Sequence, residues 1–132
     1  MSRYLLDTNV LIDFSRGKKA VVDHLFDLAH AGHILGSCAV CVAEFYAGEE
    51  RGKLPDVDGF IDSLRRWPMS HEAAISGGAY RYTYARKGIT LSVTDTMIAG
   101  VARHSNAVIL TSNLKDYPMP DILVEPPPAA IA

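Results

Sequence analysis

The chain reads as an α/β protein built on a parallel sheet. Three features predict this. Short apolar strand candidates alternate with helical periods, and the connections between them are brief. The cleanest strand, 107–111, is β-branched and apolar on both faces, as a strand covered by helices on each side must be. The 132 residues make room for one domain, and 48% hydrophobic with 21% charged residues is a globular composition. A chain of this length buries about two-thirds of its unfolded surface, so its core needs no disulfide framework or structural metal.

The elements follow in order. Residues 4–6 form a first strand that runs straight into Asp7, and 9–14 a short helix ended near Gly17. Val22, Leu25, Phe26 and Leu28 recur at helical spacing over 21–31, and Gly32 stops the period. A short apolar strand at 33–36 leads to Ser37, which opens a helical stretch containing Val42, Glu44, Phe45 and Ala47. Pro55 starts a further helix through Phe60, Ile61 and Leu64. Residues 67–70 are a brief, strand-like connection, and 71–86 a long helix ended by Gly88. An extended stretch at 91–94 enters a helix over 95–104. After strand 107–111, a last edge strand falls at 121–124, and the Pro/Ala-rich residues 126–132 read as a tail on a single domain spanning 1–125.

Several classes drop out. No apolar run approaches the roughly 20 residues that span a bilayer. Asp7 and Asp13 break the apolar N-terminus, so it does not read as a signal peptide and a cytoplasmic protein is expected. Two cysteines, Cys38 and Cys41, suit a reducing compartment. Their C-x-x-C, with His30 and His33 before it, fails as a zinc site because a strand and not a hairpin separates the pairs. A thioredoxin-like redox role lacks the surrounding pattern, and the two thiols read as core packing.

Four carboxylates deserve a joint reading. Ligands of open α/β sheets bind beyond the carboxyl ends of the strands. Asp7 ends the first strand, Asp95 begins a helix after an extended stretch, and Asp116 lies five residues past Thr111. Glu44 sits in the helix after the second strand, among Val40, Val42, Phe45 and Ala47, where a lone charge is costly without a partner. Taken singly, Asp7 and Asp95 serve equally well as helix caps, and Asp116 as a turn residue. Taken together, such acids raise one another's pKa unless a hard cation such as Mg²⁺ or Mn²⁺ is shared between them.

Four segments, LLDTNVLIDF, SCAVCVAEFYAG, ITLSVTDTMIAGVA and ILTSNLKDYPMP, carry a resemblance in order and spacing. Over about residues 4–126 the sequence resembles the PIN-domain ribonucleases, most of all the VapC-type toxins of bacterial toxin–antitoxin pairs. The resemblance implies a PIN-like fold with a central parallel sheet of about four or five strands flanked by helices. It implies an endoribonuclease dependent on Mg²⁺ or Mn²⁺, whose catalytic and metal-binding acids correspond to Asp7, Glu44, Asp95 and Asp116. Asn9, Thr111 and Asn113 match its polar supporting positions. Further implications are an RNA substrate cut to 5′-phosphate and 3′-hydroxyl ends, a small VapB-like antitoxin as partner, and a homodimer. Two other readings remain at this point: a PIN-fold binding module without catalysis, and a receiver-type phosphoacceptor domain. The latter wants an adjacent acidic pair after the first strand, which LLDTN lacks.

The net charge of −2 argues against nucleic acid when all 15 acids count as surface. Setting the four site acids aside leaves 11 acids against 13 bases. Arg16, Lys18, Lys19, Arg86, Lys87 and Lys115 then become candidate phosphate contacts, or plain solvated charges. Tyr80 and Tyr84 share a helix face with Gly77, which reads as packing and not as a platform for bases, and Trp67 as a core anchor.

Overall fold

The computed structural model describes residues 1–128; of residues 126–132, expected from the sequence to be a tail, 129–132 lie outside the described residues. Five parallel strands form one sheet in the order β3-β2-β1-β4-β5, with β1 Arg3–Leu6, β2 Ile34–Cys38, β3 Arg65–Trp67, β4 Ala107–Leu110 and β5 Val124–Glu125. Six helices flank it: α1 Thr8–Ser15, α2 Lys19–His30, α3 Ala39–Gly48, α4 Pro55–Ser63, α5 His71–Arg86 and α6 Val93–Ser105. No helix among the described residues is long and apolar enough to cross a membrane.

The strand order explains where a site can form. From β1 the chain builds outward through β2 to β3, then returns to place β4 on the other side of β1. That reversal opens a crevice between the carboxyl ends of β1 and β4, the position at which open α/β sheets bind ligands. Leu5, Leu6, Ile109 and Leu110 are fully buried on these two strands, so their ends are held by the centre of the core.

Three expectations shift. The extended stretch at 91–94 is not a strand: Ser92 Oγ accepts from the Asp95 N–H at 3.1 Å, so α6 starts two residues earlier and Asp95 lies within its first turn. The strand-like connection is β3, displaced to Arg65–Trp67, where two exposed arginines occupy a sheet edge that charge protects from further pairing. The last strand falls at Val124–Glu125, later than 121–124.

Trp67 is buried and donates Nε1–H to the Tyr4 carbonyl at 3.0 Å, tying β3 to β1 across β2. The Gly77 expectation of a close approach also finds its partner. A Cβ there would stand 2.7 Å from the Thr96 carbonyl oxygen, and one on Gly100 would run into the Ala73 carbonyl. Helices α5 and α6 therefore cross backbone to backbone. Tyr80 and Tyr84 pack on the core beside this crossing, and their hydroxyls donate to Asp121 at 2.8 Å and to the Pro118 carbonyl at 2.9 Å.

Candidate active site

Asp7 is the centre of the crevice. It is only 6% exposed, and its backbone N–H donates to the Leu110 carbonyl at 3.0 Å, which extends the β1–β4 ladder by one residue. As N-cap of α1 its Oδ1 accepts from the Thr8 N–H at 2.8 Å. Its Oδ2 accepts from the Tyr117 hydroxyl at 2.9 Å and from Asn9 Nδ2 at 3.4 Å, and Cys41 Sγ stands 3.7 Å from Oδ1. Two of these four contacts are strong and two are long, so the carboxylate is oriented while keeping acceptor capacity.

A latch closes the crevice floor. Asn9 donates Nδ2–H to Thr111 Oγ1 at 2.9 Å and accepts at Oδ1 from the Ser112 N–H, also at 2.9 Å. Thr111 Oγ1 accepts in turn from the Asn113 N–H at 3.0 Å. The amide of Asn9 thus spans the gap from α1 to the end of β4. Asn113 contributes its backbone N–H to this network and heads the 3₁₀ turn Leu114–Asp116, in which the Asp116 N–H donates to the Asn113 carbonyl at 3.0 Å.

The four acids bear on one another electrostatically. Burial first, then the negative charges of Asp116, Asp7 and Glu44, raise the Asp95 carboxyl above its ordinary range; the Ser92 hydroxyl partly offsets this. Asp95 therefore feels all three of the other acids picked out from the sequence. Glu44 differs from its expectation in one respect. It is exposed on α3 and not held in an apolar setting, and the partner that fixes it is the Thr8 hydroxyl, which donates to Oε1 at 2.9 Å. Thr8 therefore joins two of the acids, through its N–H to Asp7 and its O–H to Glu44.

Tyr117 was not singled out from the sequence. It is buried directly beneath the acids, and burial with the charges of Asp7 and Asp95 lifts its phenol far above the ordinary value, so it stays a protonated donor. The only available signal was an aromatic residue directly after Asp116 in a segment that otherwise reads as loop.

The donor set fits a hard divalent cation in its chemistry: oxygen only, anionic, and mutually repulsive without a counter-charge. Among the described residues no three His, Cys, Asp or Glu side chains form a ready-made metal cage.

Fold and switch-point crevice point to a class. The PIN domain model matches residues 4–116, and the chain belongs to the PIN-domain family, with the VapC ribonucleases. The chain is similar to the tRNA(fMet)-specific endonuclease VapC of Salmonella typhimurium, 31% identical over 131 residues, which span 95% of this chain and 98% of the relative. Among solved structures, DNA-bound VapBC from Salmonella typhimurium superposes with a TM-score of 0.78 at 30% identity, covering 96% of this chain and 98% of that one. VapBC2 from Rickettsia felis, bound to a DNA fragment from the promoter, gives a TM-score of 0.81 at 23% identity, covering 94% and 98%, which shows the shared fold. The family match sets aside the receiver-type reading.

Proposed function

We propose that this ribonuclease is the toxin of a toxin–antitoxin pair, an endoribonuclease dependent on Mg²⁺ or Mn²⁺ in which Asp7, Asp95, Asp116 and Glu44 form the catalytic and metal-binding set. The observation that carries the reading is the buried Asp7 at the β1–β4 switch point, joined to Glu44 through the N–H and O–H of Thr8; the charges of Asp116, Asp7 and Glu44 that raise the Asp95 carboxyl accord with it. Acids that raise one another's pKa destabilise the metal-free fold, a cost that a cation-dependent nuclease site accounts for.

Asp7, Asp95 and Asp116 would hold the cation, with Glu44 completing the shell or orienting the attacking water. Bound there, the cation supplies an acidified water and neutralises charge on the scissile phosphate and leaving oxygen. The protein's own part is positioning. Tyr117, the Thr8 N–H and Asn9 fix the Asp7 carboxylate, while the Asn9–Thr111 latch sets the distance between the ends of β1 and β4. Thr8 holds Glu44 above the crevice. Products would carry 5′-phosphate and 3′-hydroxyl ends.

Basic contacts to the RNA narrow to a few side chains. Lys18 pairs with Asp13 at 3.0 Å and Lys19 with Asp23 at 2.5 Å, so both are partly neutralised. Lys115 is exposed and adjoins Asp116 in sequence, which makes it the first phosphate contact to test. A small VapB-like antitoxin is the partner, supported by likeness to VapBC complexes, and the proposed assembly includes a homodimer of this chain. The test is cleavage of RNA by the purified chain, with tRNA(fMet), the substrate named for the Salmonella relative, tried first. Cleavage is lost in excess chelator and restored by Mn²⁺ or Mg²⁺; undiminished cutting in chelator overturns the mechanism.

A further inference from the structure

Cys38 and Cys41 do more than fill core volume. Cys38 is the last residue of β2 and the N-cap of α3, and Cys41 is the third residue of that helix. An i, i+3 pair at a helix start shares one face, and here the two sulfurs stand 3.6 Å apart, both as free thiols. A disulfide needs about 2.05 Å, so closure asks for an approach of about 1.5 Å.

The two sulfurs have different surroundings. Cys38 lines a groove of about 480 Å³ between α3, α4 and β3, together with Val42, Ile61, Trp67 and Met69. The exposed side chains of Arg65, Arg66 and Pro68 also line that groove, which places its mouth at the surface. Cys38 is only 2% exposed, so a macromolecular active site cannot engage it, and the groove beside it is an opening of molecular size on its side of the fold. Cys41 is fully buried and does not line the groove; its sulfur lies 3.7 Å from Asp7 Oδ1. Of the two, Cys38 is the residue on the groove wall and so the one a small oxidant meets first, while Cys41 lies between it and Asp7.

We propose that Cys38 and Cys41 form a redox-active dithiol that a hydroperoxide oxidises to a disulfide beside Asp7, slowing RNA cleavage. The Cys38 sulfur attacks a peroxide oxygen, the O–O bond breaks, and water leaves with the thiol proton. Cys38 is then a sulfenic acid. The Cys41 sulfur attacks it, the S–O bond breaks, and a second water leaves with the Cys41 proton. Two thiols and one hydrogen peroxide become one disulfide and two waters. The disulfide deprives Asp7 of the Cys41 S–H and draws that sulfur toward Cys38. The effect on cleavage rests on the nuclease reading above; the thiol chemistry does not.

The experiment treats the purified wild-type chain with stoichiometric hydrogen peroxide, then denatures it in an alkylating reagent and measures its intact mass. Wild type is expected about 2 Da lighter and without alkyl groups, and a dithiol reductant restores two alkylatable cysteines. Cleavage by the oxidised wild type falls at least several-fold and returns on reduction. Cys38→Ser is near-isosteric and places a favoured residue at the α3 N-cap; with its fold checked by circular dichroism, it cleaves as the reduced wild type does and is indifferent to the same peroxide dose. Two alkylatable thiols persisting in peroxide-treated wild type overturn the dithiol. A disulfide that forms while cleavage holds steady overturns its coupling to Asp7. A reduced wild type that cuts no RNA while the disulfide still forms counts against the nuclease reading alone.

Discussion

The Tyr117 hydroxyl donates to Asp7 Oδ2 at 2.9 Å, joining residues 110 apart in sequence. It places a neutral donor under the most buried acid of the site, where a lysine or arginine would cancel the charge that a cation is to meet. The fold can supply this because the chain turns after β4 through Leu114–Asp116 and drops Tyr117 back into the core.

Tyr117→Phe should therefore separate positioning from fold. Loss of a hydrogen bond to a buried carboxylate costs about 1.5–3 kcal/mol. The expected outcome is a folded protein with a lower urea midpoint and cleavage reduced by about tenfold, equivalent to about 1.4 kcal/mol at the transition state. Urea denaturation and single-turnover cleavage, run side by side, check it. Wild-type cleavage would confine Tyr117 to core packing.

Asp95→Asn is expected to abolish cleavage while raising the thermal midpoint in chelator. Asp95 is the acid whose charged form is held at a disadvantage by burial and by Asp116, Asp7 and Glu44, so removing its charge relieves the metal-free fold. Differential scanning calorimetry in excess chelator measures the shift. A lower midpoint would mean that the acids are not mutually destabilising.

How much of this was legible follows from what each residue does locally. Asp7, Asp95 and Asp116 stand at or just past strand ends or helix starts, which periodicity and capping reveal within a few residues. The parallel sheet was legible because β4, buried at every position, cannot face water on either side. Tyr117 was not legible, since its partner is 110 residues away and its own segment has no period. The setting of Glu44 was also misjudged: α3 is apolar around most of its circumference, so a pattern of neighbours could not show that position 44 faces outward. The C-x-x-C spacing was visible, but the 3.6 Å separation of the sulfurs and the groove beside Cys38 are tertiary facts.

The α5–α6 crossing makes two neighbouring glycines behave oppositely. Gly100→Ala drives a methyl into the Ala73 carbonyl and is expected to cost at least about 1–3 kcal/mol, because backbone on both sides must move. Gly78→Ala meets nothing within 4 Å and should stabilise by up to about 1 kcal/mol through helix propensity. Chemical denaturation of the pair decides it; similar values for both would contradict the crossing.

Acid sensitivity is expected to come from the α3–α4 junction. The Tyr46 hydroxyl donates to Asp58 Oδ1 at 2.7 Å and the Gly52 N–H to Oδ2 at 2.8 Å, holding that carboxyl below its ordinary range. Arg51 does the same for Asp62. Both pKa values are lower folded than unfolded, so their contribution is full above the unfolded carboxylate range and is lost as pH falls through the folded values. Stability measured between about pH 5 and pH 3 should decline less steeply in Tyr46→Phe than in wild type. An unchanged slope would remove Asp58 from the acid transition.

The central claim is that the acids at the β1–β4 crevice cut RNA with a divalent cation. Its most direct test is inducible expression of wild type beside Asp95→Asn, with sequencing of RNA 5′-phosphate ends. The account predicts growth arrest and a few new cut sites in wild type, both absent in the variant. New ends of equal abundance in Asp95→Asn, or none from soluble, antitoxin-free wild type, would contradict it.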